Sequence, residues 1–133
     1  MRESKMIDVI AAIIESGGRY LIGRRKKGKL KGKWEFPGGK LEGNETCEEC
    51  LVRELDEEFG VKVKVGRILS ENVHDYGWAK IRLVGYYAEH VSGEFRLTDH
   101  DRIEWVLPNE FEGYDFAPAD IPFVKKLVEE YSK

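Results

Sequence analysis

The segment "GKLEGNETCEECLVRELDEEFGV", Gly39 to Val61, crowds acidic residues into its second half. Glu54, Asp56, Glu57 and Glu58 fall within little more than one helical turn. On a helix, residues three and four apart share a face, so Glu54 lies beside Glu57 and Glu58. Like charges at that spacing weaken a helix by about 0.2–0.5 kcal/mol per pair. The cluster is either a solvated acidic face or a face that a divalent cation neutralises.

The same segment carries the signals that begin and end a helix. Thr46 followed by Glu49 fits a capping box, and Gly60 fits a C-terminal stop. Between them, apolar residues recur every four positions and predict an inward stripe of Cys47, Leu51, Leu55 and Phe59. We therefore predict one amphipathic helix between Thr46 and Gly60.

Strands and a second helix are predicted on both sides of this helix. Apolar runs bounded by Gly, Pro and polar turns predict strands at 6–14, 19–25, 61–69, 80–91 and 102–108. A basic, glycine-punctuated loop, Lys26 to Lys33, follows the second strand. Residues 118–131 predict an amphipathic helix that buries Ile121, Val124, Leu127, Val128 and Tyr131. This order predicts an α+β fold, an α/β/α sandwich with a mixed sheet between helices.

Composition limits the class of protein. The 133 residues predict one domain, 1–133, and 41% hydrophobic residues suffice for a core. A net charge of −3 argues against a stable nucleic-acid partner, since such proteins carry a positive excess. No apolar run reaches the roughly 18 residues of a membrane span, and the N-terminus does not resemble a signal peptide. We expect a cytoplasmic protein without a membrane partner.

Cys47 and Cys50 form a C-x-x-C, a spacing found in redox pairs and zinc sites. A structural zinc needs four ligands, and no second C-x-x-C occurs. The glutamates between the two sulfurs would raise a thiol pKa, whereas reactive cysteines need it lowered. Both are therefore interpreted as small buried helix residues.

The spacing from Gly39 to Val61 matches G-x5-E-x7-R-E-U-x-E-E-x-G-U, with U aliphatic, at every specified position. This is the Nudix box, and the sequence resembles the Nudix hydrolases, whose fold is a mixed sheet between helices. The segments "WEFPGGK", "DHDRIEWV" and "FAPADIP" are similar to the MutT branch of nucleoside triphosphate pyrophosphohydrolases.

The resemblance implies hydrolysis of a nucleoside triphosphate to the monophosphate and pyrophosphate, with Mg²⁺ or Mn²⁺ as cofactor. It implies that Glu54, Glu57, Glu58 and the carbonyl of Gly38 hold the metal. Glu54 and Glu57 would then act in catalysis, together with an arginine that orients the carboxylates, Arg53. Asp56 is the box acid that should only face solvent.

The general base stays open between two residues. In some relatives an acid of the box activates the water, and in others a glutamate on a later loop does so or binds a further metal. Asp99 in "TDHDRIEW" stands at the later position, one methylene shorter than glutamate. We expect Glu54 to be the base and Asp99 an auxiliary metal ligand.

The resemblance also indicates residues that would contact the substrate. Arg25 and Lys40 are candidates for the phosphates, and the loop 26–33 either steers the anion or is only solvated. Phe36 and Tyr76 are candidates for stacking on the base. Two further residues of "WEFPGGK", Glu35 and Pro37, are placed in the same site.

Asp120 is the candidate for reading the base edge. The MutT enzyme that cleaves 8-oxo-dGTP carries asparagine there, and "PADIP" with "MIDVIAAII" is similar to the CTP pyrophosphohydrolases. An ionised aspartate only accepts hydrogen bonds, which suits the amine of cytosine. Its alternative role is the N-cap of the last helix, and the two roles can coexist.

The leading hypothesis is thus a pyrophosphohydrolase of CTP, dCTP or modified cytidine nucleotides, with 8-oxo-dGTP as the alternative substrate. ADP-ribose, dinucleoside polyphosphates and capped RNA are other substrates of the same fold. A catalytically silent nucleotide-binding module is an alternative of another class, and a C-x-x-C redox protein is the weakest. The state is expected to be monomer or homodimer.

Overall fold

The computed structural model describes residues 6–133. The first five residues, which the domain prediction and the interpretation of the N-terminus include, lie outside the described residues. The elements are β1 (Met6–Ser16), β2 (Arg19–Arg25), β3 (Trp34–Glu35), β4 (Gly38–Lys40), α1 (Cys47–Phe59), β5 (Lys62–Asp75), β6 (Lys80–Ser92), β7 (His100–Val106) and α2 (Ile121–Tyr131). Two 3₁₀ turns, Pro108–Gly113 and Pro118–Asp120, precede α2.

Strand β1 lies at the centre of a mixed sheet. It pairs in parallel with β6 and antiparallel with β4, and the far end of β1 forms a hairpin with β2. The strand order is β3-β2-β1-β6-β5, with β7 added beside β2. Because β1 is flanked on both sides, its run from Ile10 to Ile14 is fully buried, as a continuous apolar run predicts.

Alternate residues of β1 point to opposite faces of the sheet, and each face carries one helix. Ile10, Ala12 and Ile14 pack with the buried residues of α1, while Ala11 and Ile13 pack with those of α2. The sheet is therefore covered on both sides. This confirms the predicted α/β/α sandwich.

The limits of α1 agree with the sequence signals. Thr46 Oγ1 accepts from the Glu49 amide at 3.1 Å, and the Glu49 carboxylate accepts from the Thr46 amide at 2.8 Å. Gly60 ends the helix with φ +70°, a conformation that glycine adopts without strain. The capping-box prediction is confirmed.

The buried face of α2 differs from the prediction. Phe123 and Leu127 are its fully buried residues, with Val124 and Val128 partly buried. Ile121 is 36% exposed and Tyr131 49% exposed, so their predicted burial is wrong. The prediction placed the start of the helix too early, because 118–120 forms a 3₁₀ turn and the helix begins at Ile121.

Strand lengths also differ. β5 continues to Asp75, well beyond the predicted end at Leu69, and register shifts interrupt its pairing with β6. The missed part, 70–75, pairs regularly with β6, but its sequence SENVHD is mostly polar, so no apolar run predicts a strand there. Within residues 6–133, no helix has both the length and the apolar character needed to cross a bilayer.

Candidate active site

The acidic side chains of α1 differ sharply in their exposure. Glu58 is 7% exposed, whereas the side chain of Glu57 is 60% exposed and that of Glu54 lies between sheet and solvent. Burial, followed by the charges of Glu35 and Glu54, raises the pKa of Glu58 to about 9. Burial likewise raises the pKa of Glu54. Glu58 Oε2 is buried and has no hydrogen-bond partner among residues 6–133.

Arg53 holds several carboxylates at once. Its guanidinium lies 2.6 Å from Glu45 Oε1, 2.9 Å from Glu54 Oε1 and 3.2 Å from Glu57 Oε2. It also donates to the carbonyl of Lys40 at 3.1 Å. Pairing with Arg53 lowers the pKa of Glu45 to about 2. The arrangement fits the predicted orienting role of Arg53. It also gives a structural purpose to Glu45, a specified position of the box for which the sequence analysis named no role.

Asp56 lies apart from this network. Its side chain is half exposed and pairs with Lys62 at 3.2 Å. The expectation that Asp56 faces solvent is therefore confirmed.

The backbone of β4 lies directly against the acidic cluster. A Cβ on Gly39 would overlap the Glu54 carboxylate, and one on Gly38 would overlap the carbonyl of Ile10. Only glycine permits this approach of the chain to the carboxylate and to β1. The Pro37 carbonyl accepts from the Ala12 amide at 2.7 Å, which fixes this segment to the sheet.

The residues fit a hard divalent cation through their chemistry. Within residues 6–133, no three His, Cys, Asp or Glu side chains converge on one point as a closed metal site would. A buried carboxylate with an unpartnered oxygen and further carboxylates around it must, however, be neutralised by a proton or a cation. Asp99 is exposed, and its charge contributes to the raised pKa of Glu58, so it faces the same cluster.

A pocket of about 350 Å³ lies on the other side of Gly38 and Gly39. Of the sequence-predicted substrate residues, the lining contains Arg25, Glu35, Phe36, Lys40, Tyr76 and Asp120. Pro37 is buried and takes no part in the lining. The volume falls in the range of small-molecule sites. Six of the seven predicted substrate-binding residues, which come from distant segments of the sequence, thus line one pocket.

A partly buried network of polar contacts holds Glu35 at the pocket wall. Arg25 donates to both Glu35 oxygens at 3.3 Å, and His100 Nε2 lies 2.9 Å from Glu35 Oε2. The imidazole of His100 is buried and stacks on Phe59 at 5.4 Å. His100 was missed by the sequence analysis. Only its position next to Asp99, at the start of β7, could have indicated a role.

The aromatic residues of the pocket differ from expectation in their exposure. Phe36 is 3% exposed, and its ring stacks on Phe116 at 5.7 Å. Tyr76 uses its hydroxyl to accept from the Ala119 amide at 3.0 Å. A third aromatic ring, Trp78, stacks on Tyr76 and lines the pocket. Sequence reasoning did not identify Trp78 as a site residue.

Asp120 is buried at the pocket wall. Its Oδ2 accepts from the Phe36 amide at 3.0 Å, and its side chain makes no capping bond to α2. Asp120 therefore stands at the predicted N-cap position, but its side chain does not cap the helix. Burial, followed by the charge of Glu35, raises the pKa of Asp120 well above its usual range. A carboxyl that keeps its proton both donates and accepts, unlike the ionised group assumed from sequence.

The two cysteines do not form a reactive pair. Cys50 is fully buried with its sulfur 3.5 Å from the Lys40 carbonyl, and burial raises the pKa of its thiol to about 12. This confirms the structural interpretation of Cys50. Cys47 is only half-buried, so its predicted burial is partly correct.

Comparisons with known proteins agree with the geometry. The family model of the NUDIX domain matches residues 4–127. The CTP pyrophosphohydrolase of Escherichia coli K12 is 37% identical over 125 residues, which cover 93% of each chain. The 8-oxo-dGTP diphosphatase of the same organism is 30% identical over 125 residues, 92% of this chain and 97% of that protein.

Solved structures show the same fold. The solution structure of the E. coli ORF135 protein superposes with a TM-score of 0.85 at 35% identity, covering 97% of this chain and 93% of that one. The crystal structure of a MutT protein from Methanosarcina mazei Go1 superposes with a TM-score of 0.86 at 26% identity over the whole of both chains.

Proposed function

Because the chain belongs to the Nudix hydrolase family, we propose that it is a Mg²⁺-dependent nucleoside triphosphate pyrophosphohydrolase, with Mn²⁺ as a substitute. It would convert a nucleoside triphosphate and water to the monophosphate and pyrophosphate. The observation that carries this proposal is the buried carboxylate of Glu58, one oxygen of which has no hydrogen-bond partner among the described residues, in the same domain as a pocket of about 350 Å³. Acidic ligands next to a substrate pocket are what metal-assisted phosphoryl chemistry needs.

Glu54, Glu57, Glu58 and the Gly38 carbonyl would hold the metal, with Asp99 as an auxiliary ligand. Bound there, a divalent cation would neutralise phosphate charge and make a water more acidic. Arg53 fixes the orientation of Glu54, which limits the positions its carboxylate can take. Burial makes Glu54 a stronger base than an exposed glutamate, so we assign it the proton of the attacking water.

The cations at the pocket mouth would bind the phosphates. Arg25, Lys29 and Lys40 all line the pocket. Arg25 is partly neutralised by Glu35, whereas Lys40 is exposed at the end of β4. Positive charge at the entrance would draw a polyphosphate toward a site otherwise rich in carboxylates.

We propose a cytidine nucleotide as the preferred substrate, supported by the "PADIP" segment and the likeness to a CTP pyrophosphohydrolase. The second candidate is 8-oxo-dGTP. A specific observation favours it: Asp120 is buried against the Phe36 amide. Burial raises the pKa of its carboxyl and so favours the neutral form, which would donate and accept as an asparagine amide does. Asparagine is the residue expected in the MutT enzyme that cleaves this nucleotide.

A pyrophosphate-release screen tests the function. The purified protein with Mg²⁺ is assayed against the common NTPs and dNTPs, 8-oxo-dGTP, 5-substituted cytidine triphosphates and ADP-ribose. We expect one cytidine nucleotide to be hydrolysed fastest, with release of the monophosphate. Preference for 8-oxo-dGTP would show that the proposed substrate is wrong, whereas the proposed reaction would stand. No turnover with Mg²⁺ or Mn²⁺ would contradict the reaction and favour a nucleotide-binding module.

A further inference from the structure

Trp78 stands in the turn between β5 and β6 and lines the pocket, yet it is 49% exposed. An indole presents a large apolar surface that most proteins cover. Because this exposed indole also lines the pocket, it is placed to contact a ligand bound there.

The backbone of the turn fixes where Trp78 stands. The Gly77 amide donates to Asp75 Oδ1 at 2.8 Å, and the Tyr76 amide donates to the Ala79 carbonyl at 2.8 Å. Gly77 has φ +87°, which a residue with a side chain adopts only with strain. These bonds close the turn tightly, so the indole is presented to the pocket by the turn itself.

The two faces of the indole have different neighbours. Tyr76 stacks against it with ring centroids 5.1 Å apart and an interplanar angle of 17°. The ammonium of Lys29 lies 4.9 Å from the ring centroid. Since Tyr76 packs on one face of the indole, the ammonium of Lys29 lies over the other face. Lys29 is exposed, so a ligand can easily displace it from this face.

Lys29 reaches Trp78 from the basic loop, Lys26 to Lys33. The neck of this loop is closed by the Arg25 amide donating to Lys33 O at 3.0 Å and the Gly32 amide donating to Arg25 O at 2.8 Å. Leu30 of the loop also lines the pocket. The loop and the β5–β6 turn thus face each other across the pocket mouth.

The other aromatic residues of the lining are less suited to stacking on a base. Phe36 is covered by Phe116, and Phe111 and Phe123 contact its ring edge-on. Tyr76 lies beneath Trp78 and meets His74 at 4.4 Å. Of the three aromatic rings in the lining, Phe36 is buried, Tyr76 is half-buried and Trp78 is exposed.

We propose that the base of the nucleotide stacks on the face of Trp78 that Lys29 covers, with Lys29 moving aside. This inference rests on the proposed function and deepens it. Stacking accepts any base, so Trp78 supplies affinity while discrimination comes from groups such as Asp120. Binding of the polyphosphate, the part of the substrate that contains no base, should not depend on Trp78.

Kinetics of Trp78→Ala test this division. We expect KM for CTP to rise about tenfold, the effect of losing one base–aromatic contact, with kcat nearly unchanged. Inhibition by inorganic tripolyphosphate, which has no base, should be unaffected. Trp78→Phe should restore most of the loss, and Tyr131→Ala, an equally exposed aromatic on α2, should behave as wild type. Equal losses for CTP and tripolyphosphate, or no change in KM, would overturn the proposal.

Tryptophan fluorescence provides a readout that needs no turnover. CTP should quench the emission of the wild type, and the quench should be absent in Trp78→Phe. If no nucleotide is hydrolysed but CTP still quenches Trp78, the proposed reaction is wrong and the stacking site stands. If CTP is hydrolysed and Trp78→Phe is quenched as strongly as wild type, the stacking site is wrong and the reaction stands.

Discussion

Glu58 is the residue that most clearly indicates a functional role for α1 in addition to a structural one. A glutamate on a helix chosen for stability alone would face water, as Asp56 does. Glu58 is instead buried with one oxygen unpartnered, beside the negative charges of Glu54 and Glu35. This arrangement lowers the stability of the metal-free protein and is the kind of strain that active sites retain.

The raised pKa of Glu58 predicts how stability depends on pH without metal. Below its ordinary value of 4.5, folded and unfolded chains both hold the proton. Between 4.5 and about 9 the folded protein holds a proton that the unfolded chain has released, so stability falls as pH rises. Thermal melts in EDTA should show this fall between these limits.

Glu58→Gln should remove most of that pH dependence and stabilise the metal-free protein at pH 8 by about 1–3 kcal/mol. The same variant should lose hydrolytic activity. Glu57→Gln is the matched control, because Glu57 lies on the same helix with an exposed side chain and should leave the pH profile of the melts unchanged. A wild-type pH profile in Glu58→Gln would contradict the burial argument.

At the scale of elements, the site depends on the contact between α1 and β4. The helix is fixed by its capping box and by burial of Leu51, Leu55 and Phe59, each contributing about 1.5–3 kcal/mol. The glycines of β4 then approach the carboxylates of that helix closely. The position of Glu54 along α1 and the absence of side chains at Gly38 and Gly39 of β4 together determine where the Glu54 carboxylate lies.

Gly39→Ala should therefore displace the Glu54 carboxylate and reduce kcat at least 100-fold, the typical effect of misplacing a catalytic group. The fold should survive, because the atoms that must move belong to a side chain. Gly113→Ala is the control, since nothing lies near its added Cβ and its φ is not positive. Circular dichroism and steady-state kinetics measure both variants. Wild-type kcat in Gly39→Ala would show that this contact does not position Glu54.

Elements with strong local signals were predictable from sequence. The helix α1 carries a cap, a stop and a regular stripe within one segment, so both its limits and the neighbours of Glu54 follow from local spacing. The start of α2 was not predictable in this way, because Pro118–Asp120 continues the helical pattern as a 3₁₀ turn. Trp78 and His100 acquire their roles only through contacts with Lys29 and Glu35, far away in the chain.

At the scale of the whole molecule, the sheet places two kinds of residue on either side of β4. Residues from α1 form the acidic cluster, whereas the pocket gathers residues from β2, the loop 26–33, the β5–β6 turn and the segment before α2. Gly38 and Gly39 lie between the acidic cluster and the pocket. A nucleotide would therefore extend past these two glycines from the pocket to the cluster. The fold thus converts one local motif into a site with distinct ends for base and phosphates.

The central claim is that the acidic face of α1 binds a divalent cation, and a Mn²⁺ titration followed by electron paramagnetic resonance tests it most directly. Wild type should bind Mn²⁺, and Glu57→Gln should bind it about 10–100-fold more weakly. Glu48→Gln, which changes an exposed acid at the other end of α1, should bind as wild type. Equal binding by Glu57→Gln and Glu48→Gln would contradict the account.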